Sequence, residues 1–439
     1  MTLVERVREA GVVGAGGAGF PTHVKLGVPA EVVLGNGAEC EPLLHKDGAV
    51  MERTAGALVE GMRRVMGAVG GVGGVVAIKG KNRGAWEAVE EACRGVAVEV
   101  AELGDYYPAG DEYDLVHAVT GRAIPPGGLP RDVGCLVQNV ETLVNVAQAA
   151  EGRPVTHKTL TVAGAVREAV TLTVPLGTSM RACVEAAGGA EDPESVLMIG
   201  GVMMGEVTTD WGTPVTKTTA GVVVLPRGHR VAVRKLTPPR AQAAIGRSAC
   251  DQCRYCTEMC PRYLLGYAVE PHLVMRGLGF TAPGSESWNE WAGLCCACGL
   301  CTLYACPEDL FPKEACDDAK AGLRRGGWRP VVRGPVEPHP FHEGRRVPLN
   351  RLIGRLDLAG YDRPAPWREA AVRVESVTLP LKQHAGAACR AVVRVGDRVR
   401  MGQRVGEVPS GELGAPVHAS MDGVVEAVEA TRIVLRRTA

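Results

Sequence analysis

Two cysteine runs in the middle of the chain constrain its fold more strongly than any other feature. Nine of the 15 cysteines lie between Cys250 and Cys306. One run has the pattern Cys-x2-Cys-x2-Cys-x3-Cys-Pro and consists of Cys250, Cys253, Cys256 and Cys260. The other has the pattern Cys-x2-Cys-x2-Cys-x4-Cys-Pro and consists of Cys295, Cys298, Cys301 and Cys306. The first is the run of bacterial ferredoxins, whose first three thiolates bind one [4Fe–4S] cluster and whose fourth binds another.

This spacing predicts how the eight thiolates divide between two clusters. A two-residue gap lets a tight loop place successive thiolates around three corners of a cube, and the fourth ligand comes from a helix start that proline helps to set. One predicted ligand set is therefore Cys250, Cys253, Cys256 and Cys306. The other is Cys260, Cys295, Cys298 and Cys301. Two zinc sites are the alternative, because four thiolates also suit tetrahedral zinc, but two interlocking runs fit zinc poorly.

Several other candidate ligands are interpreted as bystanders. Cys296 lies inside the second run and is taken as a spare thiol, with a role as an alternative cluster ligand left open. His339 and His342, in the sequence HPFH, are interpreted as linker or surface histidines. Six isolated cysteines are expected to be small buried hydrophobic residues: Cys40, Cys93, Cys135, Cys183, Cys316 and Cys389.

The charge and hydropathy of the chain exclude two classes of protein. It carries 49 basic and 49 acidic residues, whereas a nucleic-acid-binding protein normally has a basic stripe, so we expect no nucleic-acid partner. No apolar run reaches the roughly 18 residues that a transmembrane helix needs. The first residues, MTLVERVREAG, lack the apolar segment of a secretory signal. We therefore expect a cytoplasmic protein, in which clustered cysteines indicate metal binding or redox chemistry.

The first third of the chain alternates predicted strands with predicted helices. Strands are expected at Glu31–Leu34, Val75–Ile78 and Val96–Val100, with helices at Gly48–Val69 and Asn82–Arg94 between them. This order indicates a parallel sheet that is covered on both faces.

The composition and predicted secondary structure of the rest of the chain change three times. Short Val- and Thr-rich runs between Pro154 and Arg230 indicate a small α+β domain with a mixed sheet, and Thr237–Arg240 is a predicted linker. The cysteine region up to Arg325 shows no strand alternation. Arg329–Pro340 is rich in Pro and Gly and is a second predicted linker, and the short Val-rich strands of Arg373–Arg437 indicate an all-β module.

A glycine-rich loop near the N-terminus, GVVGAGGAGFPTHVK, contains the pattern Gly14-x-Gly16-x-x-Gly19. As a dinucleotide fingerprint the pattern is weak, because it should follow a strand and open a helix, whereas here a helix is predicted before it. Glycines nevertheless let backbone amides approach a flat ring or a phosphate, and Lys25 adds positive charge nearby. A flexible surface loop is the alternative interpretation.

Four motifs in sequence resemble a known family. GAGGAGFPTHVK, NGAECEPLLHKD, YPAGDE and NVET resemble the FMN- and NADH-binding domain of the complex I flavoprotein. The chain is more similar still to the C subunit of Rnf complexes and to the cobalamin reductases of propanediol-utilisation microcompartments, the PduS family. The resemblance covers almost the whole chain, and four motifs in this order are far more specific than one glycine pattern.

The resemblance implies a multidomain fold of α/β and α+β type. Residues 1–152 would form an FMN/NADH-binding α/β domain, and residues 153–236 a β-grasp-like SLBB domain. Residues 237–330 would form a helical, ferredoxin-like domain with two [4Fe–4S] clusters. Residues 331–439 would provide a linker and an all-β barrel-sandwich hybrid domain, as in lipoyl and biotinyl carriers. The only lysine after Arg373 is Lys382, outside the hairpin where carriers bear their cofactor, so we expect a structural or partner-binding module.

The resemblance also implies roles for particular residues. Gly16, Gly17 and Lys25 would line the FMN phosphate and ring, and Asn36 would contact the flavin. Asn139 and Thr142 would hold the ribityl-phosphate end of FMN. Phe20, Glu39 and Glu41 would border the nicotinamide side, with Glu112 in the same pocket. No residue is predicted to act as a general acid or base, because hydride transfer needs none.

The implied activity is NADH-dependent reduction of cobalamin, from cob(III)alamin or cob(II)alamin toward cob(I)alamin. The implied partners are cobalamin itself or a corrinoid-handling protein such as an adenosyltransferase, together with microcompartment shell or enzyme components. One alternative is an RnfC-like component of a membrane-associated NADH:ferredoxin oxidoreductase, although RnfC proteins place the barrel-sandwich module first and this chain places it last. Another alternative is a flavin-free electron-relay scaffold.

Overall fold

A four-stranded parallel sheet forms the centre of the N-terminal domain in the computed structural model, which describes residues 1–280, 285–331, 334–369, 372 and 374–438. The strands of this domain are β1 (Val32–Gly37), β2 (Gly73–Lys79), β3 (Val98–Leu103), β4 (Tyr106–Tyr107) and β5 (Cys135–Asn139). Their order in the sheet is β3-β2-β1-β5, and β4 lies outside it. The three predicted strands are present, each shifted or lengthened by a few residues.

Helices cover both faces of this sheet. They are α1 (Leu3–Glu9), α2 (Thr22–Leu26), α3 (Lys46–Val69), α4 (Arg83–Ala92), α5 (Glu112–Thr120) and α6 (Val140–Ala150). Successive side chains of a strand point to opposite faces, and accordingly Val33 packs with α1, α3, α4 and α6, whereas Leu34 packs with Leu115 of α5. The predicted parallel sheet with two covered faces is confirmed.

Local sequence signals set several helix ends in this domain. A capping box starts α1, because the Thr2 hydroxyl accepts from the Glu5 amide while the Glu5 carboxylate accepts from the Thr2 amide. The carboxylate of Asp111 caps α5. Helix α3 ends at Gly70, whose φ of 71° is the left-handed conformation that glycine adopts without steric cost.

The second domain contains a mixed sheet, as predicted. Its elements are β6 (His157–Gly164), β7 (Val170–Pro175), α7 (Met180–Ala186), β8 (Val196–Ile199), β9 (Glu206–Thr208), β10 (Gly221–Leu225) and α8 (Arg230–Leu236). Strand β10 runs parallel to β6 and antiparallel to β8.

The cysteine region is helical, and no strand lies in the described part of residues 237–331. Its elements are α9 (Pro239–Ala249), α10 (Tyr255–Glu258), α11 (Pro261–Leu264), α12 (Pro271–Gly279), a 3₁₀ segment (Ser285–Ala292), a π-helical turn (Cys301–Ala305) and α13 (Pro312–Arg325). Proline opens four of these helices, which suits a residue that lacks an amide hydrogen. Part of the predicted linker Thr237–Arg240 therefore belongs to the first turn of α9.

The segment between the cysteine region and the last domain connects to two other domains. It contains β11 (Val347–Pro348), α14 (Leu349–Arg355), a 3₁₀ turn (Ala359–Tyr361) and β12 (Trp367–Arg368). Strand β11 pairs with β4, and β12 adds an edge strand beside β7 to the mixed sheet. His342 is buried, with its Nε2 3.2 Å from Asp114 Oδ1. His342 therefore lies in the connecting segment but is not a surface histidine, because this segment folds back onto the N-terminal domain.

The C-terminal module is all-β, as predicted, although its predicted first residue, Arg373, lies outside the described residues. Its strands are β13 (Ser376–Pro380), β14 (Arg390–Ala391), β15 (Arg398–Val399), β16 (Arg404–Glu407), β17 (Val417–His418), β18 (Gly423–Val428) and β19 (Arg432–Arg437). They form two sheets, β13-β19-β18-β15 and β14-β16-β17. No helix within the described residues is long and apolar enough to span a bilayer.

Candidate functional site

The strand order of the parallel sheet creates a crevice between β1 and β5. The chain builds β1, β2 and β3 outward in one direction and then places β5 on the other side of β1. Ligands of open α/β sheets bind at the carboxyl ends of strands, where the order reverses in this way. Asn36 and Asn139 are register partners at this edge, and the Asn139 side chain donates to the Asn36 carbonyl at 3.4 Å.

The glycine loop lies beside this edge, between α1 and α2 rather than after a strand. Gly16 and Gly17 are exposed, and Gly17 has a φ of 128°. A Cβ on Gly16 would stand 3.3 Å from the Asn139 Cβ, so a side chain there would crowd the crevice. The loop is fixed by Thr142, whose hydroxyl accepts from the Ala15 amide at 2.9 Å. The residues predicted to surround FMN are thus gathered at one place, with backbone left open for a close approach.

A buried charge network supports the loop from below. Lys46 Nζ lies 2.6 Å from Asp47 and 3.0 Å from Glu141, and Lys158 contacts both Glu141 and the carbonyl of Ala15. The nearby lysines outweigh the cost of burial and lower the pKa of Glu141, whereas burial lowers the pKa of Lys158 to about 8. No role was predicted for these residues from the sequence. Lys46, Asp47 and Glu141 lie within two of the four family motifs, which was the only available signal for them.

Other predicted site residues line the approach to the crevice. Lys25 Nζ lies 3.3 Å from Glu112 and donates to the Val137 carbonyl at 3.1 Å. Asn36 Nδ2 donates to the Gly110 carbonyl at 3.0 Å, which ties β1 to the YPAGDE motif. Phe20 is half-buried, and its carbonyl accepts from the Gly14 amide at 3.0 Å, which closes the glycine loop.

The two acids predicted for the nicotinamide side have different surroundings. Glu39 accepts from the amides of Asp47 and Gly48 at 2.8 and 3.2 Å, at the start of α3. Burial, reinforced by the neighbouring Asp47, raises its pKa to about 7. Glu41 accepts from the amides of Met203 and Met204 at 3.0 and 2.8 Å in the second domain. Its two oxygens therefore join domains, a contact that no local sequence pattern predicts.

The second and the last domains also anchor the glycine loop. Lys217 is buried, and its Nζ donates to the carbonyls of Gly11 and Pro416, each at 2.7 Å. The amide of Ala385 donates to the Gly19 carbonyl at 3.0 Å. Burial lowers the pKa of Lys217 to about 8, against a smaller opposing effect of Cys389. The loop is thus held at both ends by residues of the second and last domains.

The eight cysteines of the two runs gather as two sets. The outer thiol group comprises Cys250, Cys253, Cys256 and Cys306, which together line one pocket. Two of its sulfurs accept hydrogen bonds, one from the Gln252 side chain at 3.2 Å and one from the Leu310 amide at 3.3 Å. Cys253 is exposed, so this group reaches the protein surface.

The inner thiol group comprises Cys260, Cys295, Cys298 and Cys301, all of which are buried. Electrostatic interactions link the Cys301 sulfur to Cys295 and Cys260 of its own group and to Cys256 of the outer group. Cys296 interacts with Cys298, and Cys316 with Cys295, so both extra thiols adjoin the inner group. The other isolated cysteines are buried as expected, except for the half-buried Cys40.

The donor chemistry of both groups fits iron–sulfur clusters. Burial, followed by the neighbouring Cys250, raises the pKa of the Cys256 thiol to about 12, so crowded and desolvated thiolates of this kind need a cationic centre to stay ionised. Amide-to-sulfur hydrogen bonds, such as Ala297 to Cys295 at 3.3 Å, are typical of cluster sites. Within the described residues, no three His, Cys, Asp or Glu side chains are arranged to hold a single metal ion.

One short segment joins the crevice to the inner thiol group. Gly110 receives the hydrogen bond from Asn36, and the adjacent Asp111 forms a 2.8 Å ion pair with Arg262, two residues after Cys260. In the same segment Tyr107 donates to the carbonyl of Cys298 at 2.7 Å. The YPAGDE motif therefore contacts the predicted flavin site and the predicted inner cluster at once.

Four domain families match successive stretches of the chain. The Nuo51 FMN-binding domain matches residues 7–148, and the SLBB domain matches residues 159–207. The 4Fe-4S dicluster domain matches residues 249–311, and the RnfC barrel sandwich hybrid domain matches residues 368–438. The first match contains the crevice and the third contains both thiol groups. The cofactors are therefore FMN and two [4Fe–4S] clusters.

Curated proteins extend the likeness over nearly the whole chain. Cobalamin reductase PduS of Salmonella typhimurium is 44% identical over 436 residues, covering 99% of this chain and 96% of that protein. The PduS of Citrobacter freundii is 41% identical, with the same coverage. The C subunit of the proton-translocating ferredoxin:NAD(+) oxidoreductase complex of Clostridium ljungdahlii is 34% identical over 59% of this chain and 55% of that protein. A solved NAD+-reducing [NiFe]-hydrogenase chain is more distant, with a TM-score of 0.49 and 21% identity over 82% of this chain and 67% of that one.

Proposed function

The chain belongs to the family of PduS cobalamin reductases, and we propose that it carries electrons from NADH through FMN and two [4Fe–4S] clusters to cobalamin. The observation that carries this proposal is the shared segment Tyr107–Asp111, which touches both the crevice and the inner thiol group. An oxidoreductase that only bound flavin would need no such contact between its flavin site and a set of buried thiols.

On the flavin side, the residues have binding and positioning roles. We assign the FMN phosphate and ring to Gly16, Gly17 and Lys25, and the ribityl-phosphate end to Asn139 and Thr142. Bound FMN supplies the conversion between the electron pair of a hydride and single electrons. Asn36, tied to Gly110, would hold the flavin edge that faces the YPAGDE motif.

The nicotinamide side is assigned to Phe20, Glu39 and Glu112. Glu112 pairs with Lys25, so its carboxylate is oriented before NADH arrives. Glu41 is assigned a positioning role instead, because both of its oxygens accept backbone hydrogen bonds from the second domain. No side chain is assigned a role as general acid or base, because hydride transfer from a nicotinamide to a flavin would need none.

On the cluster side, we assign one [4Fe–4S] cluster to the inner thiol group and the other to the outer thiol group. The buried inner group adjoins the flavin domain and the outer group reaches the surface at Cys253, so electrons would pass from the inner to the outer group. Each reduction of the cobalt ion takes one electron, so one NADH supports two such steps. The surface around Cys253 is the place where a corrinoid would receive them.

Anaerobic NADH oxidation by the purified chain tests the proposal. We expect NADH to be consumed when cob(II)alamin is the acceptor, with cob(I)alamin formed, and more slowly when NADPH replaces NADH. Cys301→Ser serves as the matched variant, which should still pass electrons from NADH to flavin but should lose corrinoid reduction. Reduction of ferredoxin alone would instead favour the activity of RnfC proteins, and purified protein without flavin bands would favour an electron relay.

We also propose where the protein works and with what. Cob(I)alamin is short-lived in water, so its handover calls for a nearby corrinoid-handling protein such as an adenosyltransferase. The family resemblance supports residence in the cytoplasm inside a propanediol-utilisation microcompartment, in contact with shell or enzyme components. Isolation of intact microcompartments, followed by detection of this chain within them, tests the location. Recovery of the chain only outside the compartments would contradict it.

A further inference from the structure

Arg262 lies at the contact between the inner thiol group and the FMN-binding domain. It follows Cys260 and Pro261, and its side chain is only 9% exposed. One guanidinium nitrogen, Nη2, lies 2.8 Å from Asp111 Oδ2, and the guanidinium carbon lies 3.5 Å from the ring centre of Tyr113. Asp111 and Tyr113 both belong to the FMN-binding domain. The cation is therefore held in one place by a charge and by an aromatic face.

The same side chain also faces the sulfur atoms. Its guanidinium interacts with the Cys296 thiol, and the backbone amides of Arg262 and Tyr263 point to the Cys260 sulfur. Its Nε is buried and has no hydrogen-bond acceptor among the residues that the structure describes. A buried donor without an acceptor costs free energy, so an acceptor placed beside this atom would be stabilising. Cluster sulfur at the inner thiol group would supply such an acceptor.

We propose that Arg262 is a positioning residue that tunes the inner cluster, by holding a fixed positive charge where each electron from the flavin arrives. The proposal rests on the proposed function, which assigns a [4Fe–4S] cluster to the inner thiol group. One electron adds one negative charge and breaks no bond, and Arg262 keeps its proton throughout. In a buried site such a charge is weakly screened, so the guanidinium stabilises the reduced state more than the oxidised state. Arg262 thereby makes the inner cluster a better acceptor for the flavin.

Other charges near the inner group define the size of this effect. The negative charge of Asp111 opposes it, because Asp111 Oδ2 lies 2.8 Å from Arg262 Nη2. Lys320 donates to the Cys295 carbonyl from α13, but it is half-exposed and therefore better screened by water. Asp317 and Glu314, also on α13, interact with Cys295 and Cys301. Lys313 of the same helix interacts with Cys301 and is likewise partly exposed. Arg262 is the most deeply buried of these three cations, so its removal should have the largest effect.

The test is a redox titration of the whole, cluster-loaded protein, with each cluster followed by low-temperature electron paramagnetic resonance. In Arg262→Gln we expect reduction of the inner cluster to become about tenfold less favourable, a midpoint potential lower by about 59 mV for a one-electron couple. Arg262→Lys keeps the charge and should recover part of the loss. Asp111→Asn removes the opposing charge and should move the potential upward. Arg276→Gln is the matched control, because Arg276 contacts Gln252 beside the outer thiol group and should leave the inner cluster unchanged.

The opposite signs expected for the two partners separate tuning from a structural role. Loss of a domain contact alone would lower the thermal stability of Arg262→Gln and Asp111→Asn alike and leave both potentials where they were, which would overturn the proposal. Should Arg262→Gln fail to fold, the Lys and Asn variants still carry the test. Wild-type protein with only one cluster would overturn the proposed function as well, whereas two clusters insensitive to residue 262 would overturn this inference alone.

Discussion

The hydroxyl of Tyr107 donates a 2.7 Å hydrogen bond to the carbonyl oxygen of Cys298, across the boundary between the FMN-binding domain and the dicluster domain. Tyr107 is 1% exposed, and burial raises its pKa well above the ordinary value for tyrosine. The phenol therefore stays protonated and acts as a permanent donor. It fixes the backbone of the inner thiol group against the segment that also contacts the flavin crevice.

Tyr107→Phe should slow the exit of electrons from the flavin while leaving their entry unchanged. The variant keeps the buried ring but leaves the Cys298 carbonyl without this donor, at a cost of about 1 kcal/mol in stability. Anaerobic stopped-flow absorbance separates the two steps, as flavin reduction by NADH and then cluster reduction. Tyr255→Phe, at an exposed tyrosine of the same protein's dicluster domain, is the control. Equal rates of cluster reduction in both variants would show that the contact has no part in electron exit.

Thr142→Val should weaken FMN binding. The hydroxyl that accepts from the buried Ala15 amide is lost, and an unpaired buried amide costs about 1–3 kcal/mol. Part of that cost should appear as a looser glycine loop, so we expect the dissociation constant of FMN to rise roughly tenfold, which corresponds to about 1.4 kcal/mol. Fluorescence titration of the apoprotein with FMN measures it. Thr142→Ser keeps the acceptor and should bind almost as tightly as wild type; equal weakening in both variants would refute the explanation.

The stability of the flavin domain should depend on pH through Glu39. Its folded-state pKa of about 7 lies above the ordinary value of 4.5, so the folded protein binds more protons than the unfolded chain between these pH values. The contribution of Glu39 to the free energy of unfolding is therefore complete below pH 4.5 and falls as the pH rises toward 7.

Glu39→Gln removes this titration. Relative to wild type, the variant should gain thermal stability between about pH 5 and about pH 7.5, as followed by circular dichroism. Glu52→Gln, at an exposed acid of α3, provides the baseline and should show no such gain. The same difference from wild type at both pH values would rule out Glu39 as the source of the pH dependence.

Cys253→Ser and Cys296→Ala should separate ligands from bystanders. Cys253 is the exposed member of the outer thiol group, so its loss should remove one cluster and about half of the bound iron. Cys296 is assigned as a spare thiol, so its loss should leave iron and acid-labile sulfide unchanged. Anaerobic metal and sulfide analysis of both variants measures this. Loss of a cluster in Cys296→Ala would make Cys296 a ligand, and zinc in place of iron in wild type would contradict both assignments.

Local patterns were sufficient to predict most elements of the fold. Hydrophobic spacing gave α3 within two residues of its observed start, and alternating strands and helices gave the parallel sheet. The pairing of β11 with β4, and of β12 with β7, could not be predicted in this way. Two-residue strands have no periodicity of their own, and such pairs form only because the domains meet in three dimensions.

The functional site could likewise be predicted only in part from local sequence patterns. Cysteine spacing predicted both thiol groups, because a cluster demands particular intervals along one stretch of chain. The family motifs predicted the crevice residues as a set, but the contacts of Glu41 with the second domain depend on tertiary structure and had no local signal. The same holds for Arg262, which nothing in the first cysteine run distinguishes from any other basic residue.

The anchor at Lys217 imposes an order on the making of this protein. Lys217 joins the carbonyl of Gly11 to that of Pro416, a residue that is synthesised long after Gly11. During translation, the emerging glycine loop must therefore wait for the C-terminal module before its fixed shape is complete. We therefore expect stable flavin binding only after the C-terminal module has been made, and a chain without that module should hold its flavin weakly even with every predicted flavin-binding residue present.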